Sequence, residues 1–139
     1  MNTLRSALVP GLVAGLISVF GSWLWMGVIF HRFQKETPGT WRSEGPRSYM
    51  ASILIHFFAA LAIACLYTLI VRFHVGSFPL RTIGSARFAL FLWGAIALPM
   101  LVQQALFVRF HPLVVVGELL DWLTTVVAAC LATAWWLAR

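Results

Sequence analysis

The sequence predicts an all-α, four-transmembrane-helix up-and-down bundle: one integral membrane domain spanning residues 1–139. Three observations lead there. Hydrophobic residues make up 61% of the chain and charged residues only 10%, against about 25% charged in a soluble domain. Mean hydropathy is +0.90. The apolar residues fall into four runs, near 7–30, 49–71, 87–108 and 113–137. Each run meets the roughly 20 helical residues needed to cross a hydrocarbon core of about 30 Å. Together they take up most of the chain, which leaves no room for a separate soluble domain.

The first run follows Arg5 and extends from Ala7 to Phe30. It is longer than the roughly 7–15-residue apolar core of a secretory signal and ends without a small-x-small cleavage pattern. A retained helix is therefore expected. Gly11, Gly15, Ser18 and Ser22 recur at helical spacing and form a stripe of small residues that admits a close neighbour. The connection over 31–48 contains Pro38, Gly39, Gly45 and Pro46 among charged residues, the composition of a solvated loop.

The second run carries His56, with Tyr49, Ser52, Ala60 and Tyr67 on the same face. The following connection, about 72–87, mixes Gly76, Pro79 and Gly84 with Phe73, Val75, Phe78, Leu80 and Ile83, which suits the membrane interface. In the third run, Pro99 removes a main-chain hydrogen bond to the carbonyl of Ala95 and predicts a bend. Gln103 and Gln104 lie near its end. Arg109-Phe110-His111-Pro112 then makes a tight turn, with Pro112 suited to the first turn of the fourth helix.

The fourth run holds the costliest residues of the chain, Glu118 and Asp121. A charge near the bilayer centre costs about 2.5–3.5 kcal/mol on insertion scales, so such groups face protein or water. A spacing of three puts both on one side of the helix. Thr125, Ala129 and Ala132 continue that stripe with small residues, as an inward face requires.

Up-and-down threading sets the depths. The surface that bears the first and third connections is here called side B, and the opposite one side A. At 1.5 Å per residue, His56 lies roughly 10 Å below side B, Glu118 roughly 8 Å and Asp121 roughly 12 Å. Gln103 and Gln104 approach the same level. His56, Glu118, Asp121, Gln103 and Gln104 are thus the candidate ligand- or proton-binding residues. Three chemistries fit them: a carboxylate that binds a proton or cation during transport, a divalent metal on His56, Glu118 and Asp121, or pairing with Arg109, His56 or a glutamine that locks the bundle. His31, His74 and His111 fall at helix ends or in loops, where a solvated imidazole needs no special role.

No nucleophile–base motif, phosphate-binding glycine loop or dinucleotide fingerprint is present, so nothing positive points to an enzyme. No cofactor is indicated; His56 has the chemistry of an axial tetrapyrrole ligand, without a second feature to support one. Cys65 and Cys130 each lie within an apolar run and read as packing residues. Trp23, Trp25, Trp93 and Trp122 read as packing residues or interface anchors. The net charge of +6 comes from nine arginines and one lysine that flank the runs. This favours membrane lipids, not nucleic acid, as partners. Five cations lie on each side, so the positive-inside rule assigns no orientation.

The pattern Gly21-Ser22-Trp23-Leu24-Trp25, leading to Phe30 and Gln34-Lys35…Trp41, resembles a known family. So does the final half, with Phe107, a short basic turn, Asp121-Trp122 and Trp135-Trp136. Together they resemble the uncharacterised four-helix bacterial membrane proteins of the DUF1761 type. The resemblance implies a bacterial cytoplasmic (inner) membrane protein and brings no established activity or site residues. The functional expectation is a small transporter-like or ligand-binding bundle centred on Glu118, Asp121 and His56. The alternative is a non-catalytic accessory or assembly subunit of a larger membrane complex. Either is expected as a homo-oligomer or as part of a larger assembly.

Overall fold

The computed structural model describes residues 3–41, 44–73 and 82–139; the connection at 74–81, with His74, lies outside the described residues. Four helices are long and apolar enough to cross a membrane: Arg5–Ile29, Pro46–Arg72, Ile83–Phe107 and Pro112–Leu137. We refer to them as helices 1 to 4. Their outer faces are large and apolar. Leu16, Phe58, Phe91 and Trp135, one from each helix, are 65%, 74%, 68% and 57% exposed. Such a surface is stable only against lipid or another apolar protein face. The chain is a polytopic membrane bundle.

The boundaries follow local chemistry. Helix 2 starts at Pro46, earlier than the apolar run, because proline suits the first helical turn and Gly45 takes the extended conformation before it. Helix 4 starts at Pro112 for the same reason, and the N-cap His111 accepts the Leu113 N–H on Nδ1 at 3.2 Å.

Helices 1 and 3 are α-helical for most of their length but each contains a π-helical segment, Trp23–Ile29 and Trp93–Ala97. The second stands just before Pro99, and the Leu98 N–H donates to the Trp93 carbonyl across this wider turn. Proline both lacks an N–H and presses on the carbonyl four residues back. Widening the preceding turn relieves that pressure, so the lost hydrogen bond expected at Pro99 is accommodated by a π-segment.

Helix 4 is the hub and packs against all three other helices, while helix 1 also lies along helix 2. The small-residue stripe of helix 1 explains the closeness of that second contact. A Cβ added to Gly11 would meet the Cα of Leu61 at 3.1 Å, and one added to Gly15 would meet the Phe57 ring. Towards side A, Tyr67, Phe88, Val126 and Cys130 pack into a common core from helices 2, 3 and 4. Three threonine hydroxyls inside the bundle are satisfied locally. Thr68, Thr124 and Thr133 donate to the carbonyl four residues earlier, at 2.7, 2.8 and 2.7 Å.

On side B the two connections form a cap. His31 Nδ1 lies 3.6 Å from Glu44, His111 Nε2 lies 3.3 Å from Glu36, and Phe33 stacks on His111. Trp41 packs on Phe110, and the Thr40 hydroxyl donates to the Arg109 carbonyl. His111 thus joins the two connections and His31 braces the first, where only solvation was expected from the sequence.

Candidate functional site

Asp121 is 3% exposed and points into the seam between helices 1 and 2. Ser22 of helix 1 donates its hydroxyl proton to Asp121 Oδ2 at 3.0 Å. His56 Nε2 faces the two carboxylate oxygens at 3.3 and 3.2 Å. The other imidazole nitrogen, Nδ1, lies 2.8 Å from the carbonyl of Ser52. A carbonyl only accepts, so Nδ1 carries a proton. One further proton must then lie between Nε2 and Asp121, or two acceptors would face each other in a buried site. Whether that proton sits on nitrogen or oxygen, the pair is neutral overall. This is how an apolar helix tolerates it. Trp122 stacks on the His56 ring at 5.7 Å and fixes its plane.

Glu118 is placed differently. Residues three apart on a helix are separated by about 60° around the axis. Helix 4 lies against three neighbours, so that angle is enough to send the two carboxylates into different seams. Glu118 is half-buried and faces the groove between helices 3 and 4. Among the described residues it has no hydrogen-bond or ion-pair partner. Beyond Pro99, helix 3 packs less closely on helix 4 than it does ahead of the π-segment. The groove holds a cavity of about 240 Å³. Glu118, Gln104, Met100, Trp41, Phe110 and Trp122 are among its lining residues.

The structure therefore divides the predicted site. It joins His56 to Asp121, and it places Glu118 with Gln104 on the cavity. Gln103 is exposed on helix 3 and belongs to neither group. Arg109 is exposed as well, and the partners of Asp121 are His56 and Ser22 instead. The three-ligand metal alternative is not assembled: among the described residues no three His, Cys, Asp or Glu side chains are grouped to hold an ion.

Sequence reasoning read Ser22 only as packing and did not place Trp41, Phe110 or Met100 at the site. Ser22 was the accessible one, because its small-residue stripe faces the same interior as Asp121. Two tryptophans from the membrane-depth group add rigidity around helix 4. Trp25 Nε1 donates to Thr124 Oγ1 at 3.0 Å, and Trp93 Nε1 donates to the Leu119 carbonyl at 3.0 Å.

The fold places the chain among the small polytopic four-helix membrane proteins. Comparison with family models, with curated proteins and with solved structures finds no match to this chain.

Proposed function

We propose that this chain is a transporter-like or ligand-binding membrane bundle in which Glu118 is the binding carboxylate and Asp121 is structural. The observation that supports this reading is the contrast between the two. Asp121 is satisfied by Ser22 and His56 and shares a proton within a neutral pair. Glu118 has no such partner among the described residues and lines a cavity. A carboxylate at membrane depth without a fixed partner is costly unless something exchangeable offsets its charge. A proton or a cation arriving through the cavity does so. Helix 3, interrupted by its π-segment, borders the opening, as broken helices do at binding sites in other membrane bundles.

The test is flux in proteoliposomes, with proton and monovalent-cation movement read by a lumenal pH dye and a potential-sensitive dye. Wild-type protein is expected to give flux that Glu118→Gln abolishes without loss of monodisperse assembly. Wild-type-like flux in Glu118→Gln would refute the proposal.

One observation favours the second reading, a non-catalytic accessory or assembly subunit. The Asp121–His56–Ser22 network ties helices 1, 2 and 4 together, as a packing lock would. Under that reading no flux appears, and Asp121→Ala prevents assembly with a partner or a second copy. The exposed apolar face of helix 3, including Ile96 and Leu106, is where such a contact would form. A bacterial inner-membrane location and membership of the DUF1761-type proteins belong to the same proposal.

A further inference from the structure

We infer that the cavity beside Glu118 is a site for an organic ammonium ion with a compact apolar body. This rests on the proposed role of Glu118 and names the chemistry of its ligand. Three aromatic residues, Trp41, Phe110 and Trp122, line the cavity with one carboxylate, one amide and one thioether.

Each alternative ligand fits this lining less well. A hard metal ion needs several oxygen ligands, commonly about six; Glu118 and Gln104 supply too few. An anion meets the Glu118 carboxylate. A neutral apolar molecule would bury that carboxylate without a counter-charge, at a cost that grows as water leaves. A proton satisfies Glu118 but does not occupy a cavity of about 240 Å³.

A quaternary or substituted ammonium satisfies every component. Its positive charge is diffuse and weakly hydrated, so ring faces replace its water through cation–π attraction. Glu118 neutralises the charge, while Met100 and the rings take the apolar body. The volume lies just below the roughly 300 Å³ at which drug-sized pockets begin, so the ligand is small. Trp41 and Phe110 belong to the side-B cap, and Glu118 lies only roughly 8 Å below that surface. The ammonium can therefore come from a free amine or from the headgroup of a lipid.

The experiment titrates the full chain, purified in an uncharged maltoside detergent, with benzyltrimethylammonium by calorimetry at constant ionic strength. Saturable binding is expected, weakened at least tenfold in Glu118→Gln, partly kept in Glu118→Asp, and absent for benzyl alcohol and benzoate. Trp41→Leu, a change in the surface cap, is expected to weaken binding at least threefold. It serves as the deciding variant if Glu118→Gln is not monodisperse.

Repeating the titration in phosphatidylglycerol nanodiscs with and without phosphatidylcholine separates the two sources. A higher apparent Kd with phosphatidylcholine assigns the site to lipid headgroups, and an unchanged one assigns it to free amines. Absence of saturable binding overturns the inference, as does equal binding of benzyl alcohol or indifference to Glu118 and Trp41. If binding is absent while Glu118→Gln still abolishes flux, only this inference falls. If binding depends on Glu118 while flux does not, the ammonium site stands and the transport reading falls.

Discussion

At the scale of single residues, two carboxylates three positions apart have opposite tasks because they meet different neighbours. Asp121 is held by Ser22 and by His56, whose second nitrogen is committed to the Ser52 carbonyl. Asp121→Ala would leave the His56 Nε2 without a buried partner, a loss of about 1–3 kcal/mol. A lowered unfolding midpoint in detergent is the expected result, with Asp121→Asn closer to wild type because an amide still bonds to both neighbours. Ser22→Ala removes one interhelical hydrogen bond, of which the average worth in a membrane bundle is about 0.6 kcal/mol. Glu118→Gln removes no described partner, and its midpoint should stay within about 0.5 kcal/mol of wild type. The sequence exposed the costly pair and, through depth, its neighbour His56. It did not separate the roles, because the 60° between them matters only once the positions of the neighbouring helices are known.

At the scale of elements, close approach and bending can be tested independently. Helix 1 runs against helix 2 where Gly11 meets the main chain of Leu61, which cannot rotate away as a side-chain tip can. Gly11→Leu is therefore expected to cost about 1–3 kcal/mol by overpacking, seen as a lower midpoint. Gly94, in the π-segment of helix 3, has open space where a Cβ would stand. Gly94→Ala is expected to be neutral in the same assay.

Pro99→Ala restores an N–H beside the π-segment and is expected to draw helix 3 closer to helix 4, narrowing the cavity. Ligand binding at Glu118 should weaken while the bundle remains folded. If both binding and stability are unchanged, Pro99 does not maintain the opening. The stripe on helix 1, the break at Pro99 and the start of helix 4 at Pro112 were legible from residue type and spacing. The π-segments were not, since their hydrogen-bond shift depends on how a helix accommodates strain among its neighbours. Gln103 shows the same limit. Its position near the end of helix 3 was readable, but its exposure follows from which face of helix 3 meets helix 4.

At the scale of the whole molecule, helix 4 collects the interactions of a bundle whose outer surface is apolar. Asp121 locks helices 1 and 2 to it, Trp93 ties helix 3 to it, and the cap joins the two side-B connections above it. The lock ties the scaffold together, while the loosely packed end of helix 3 borders a cavity at one carboxylate. The four-helix architecture was readable from hydropathy alone, because a bilayer demands long apolar helices whatever their packing. The cavity was not, because its aromatic wall comes from a loop, a turn and helix 4, residues far apart in the chain that meet only in the folded bundle. The most direct measurement is proton and monovalent-cation flux through proteoliposomes containing wild type or Glu118→Gln, prepared at matched monodispersity. Flux in wild type that disappears in Glu118→Gln is the expected result; equal flux in the two proteins would contradict a transport role for Glu118.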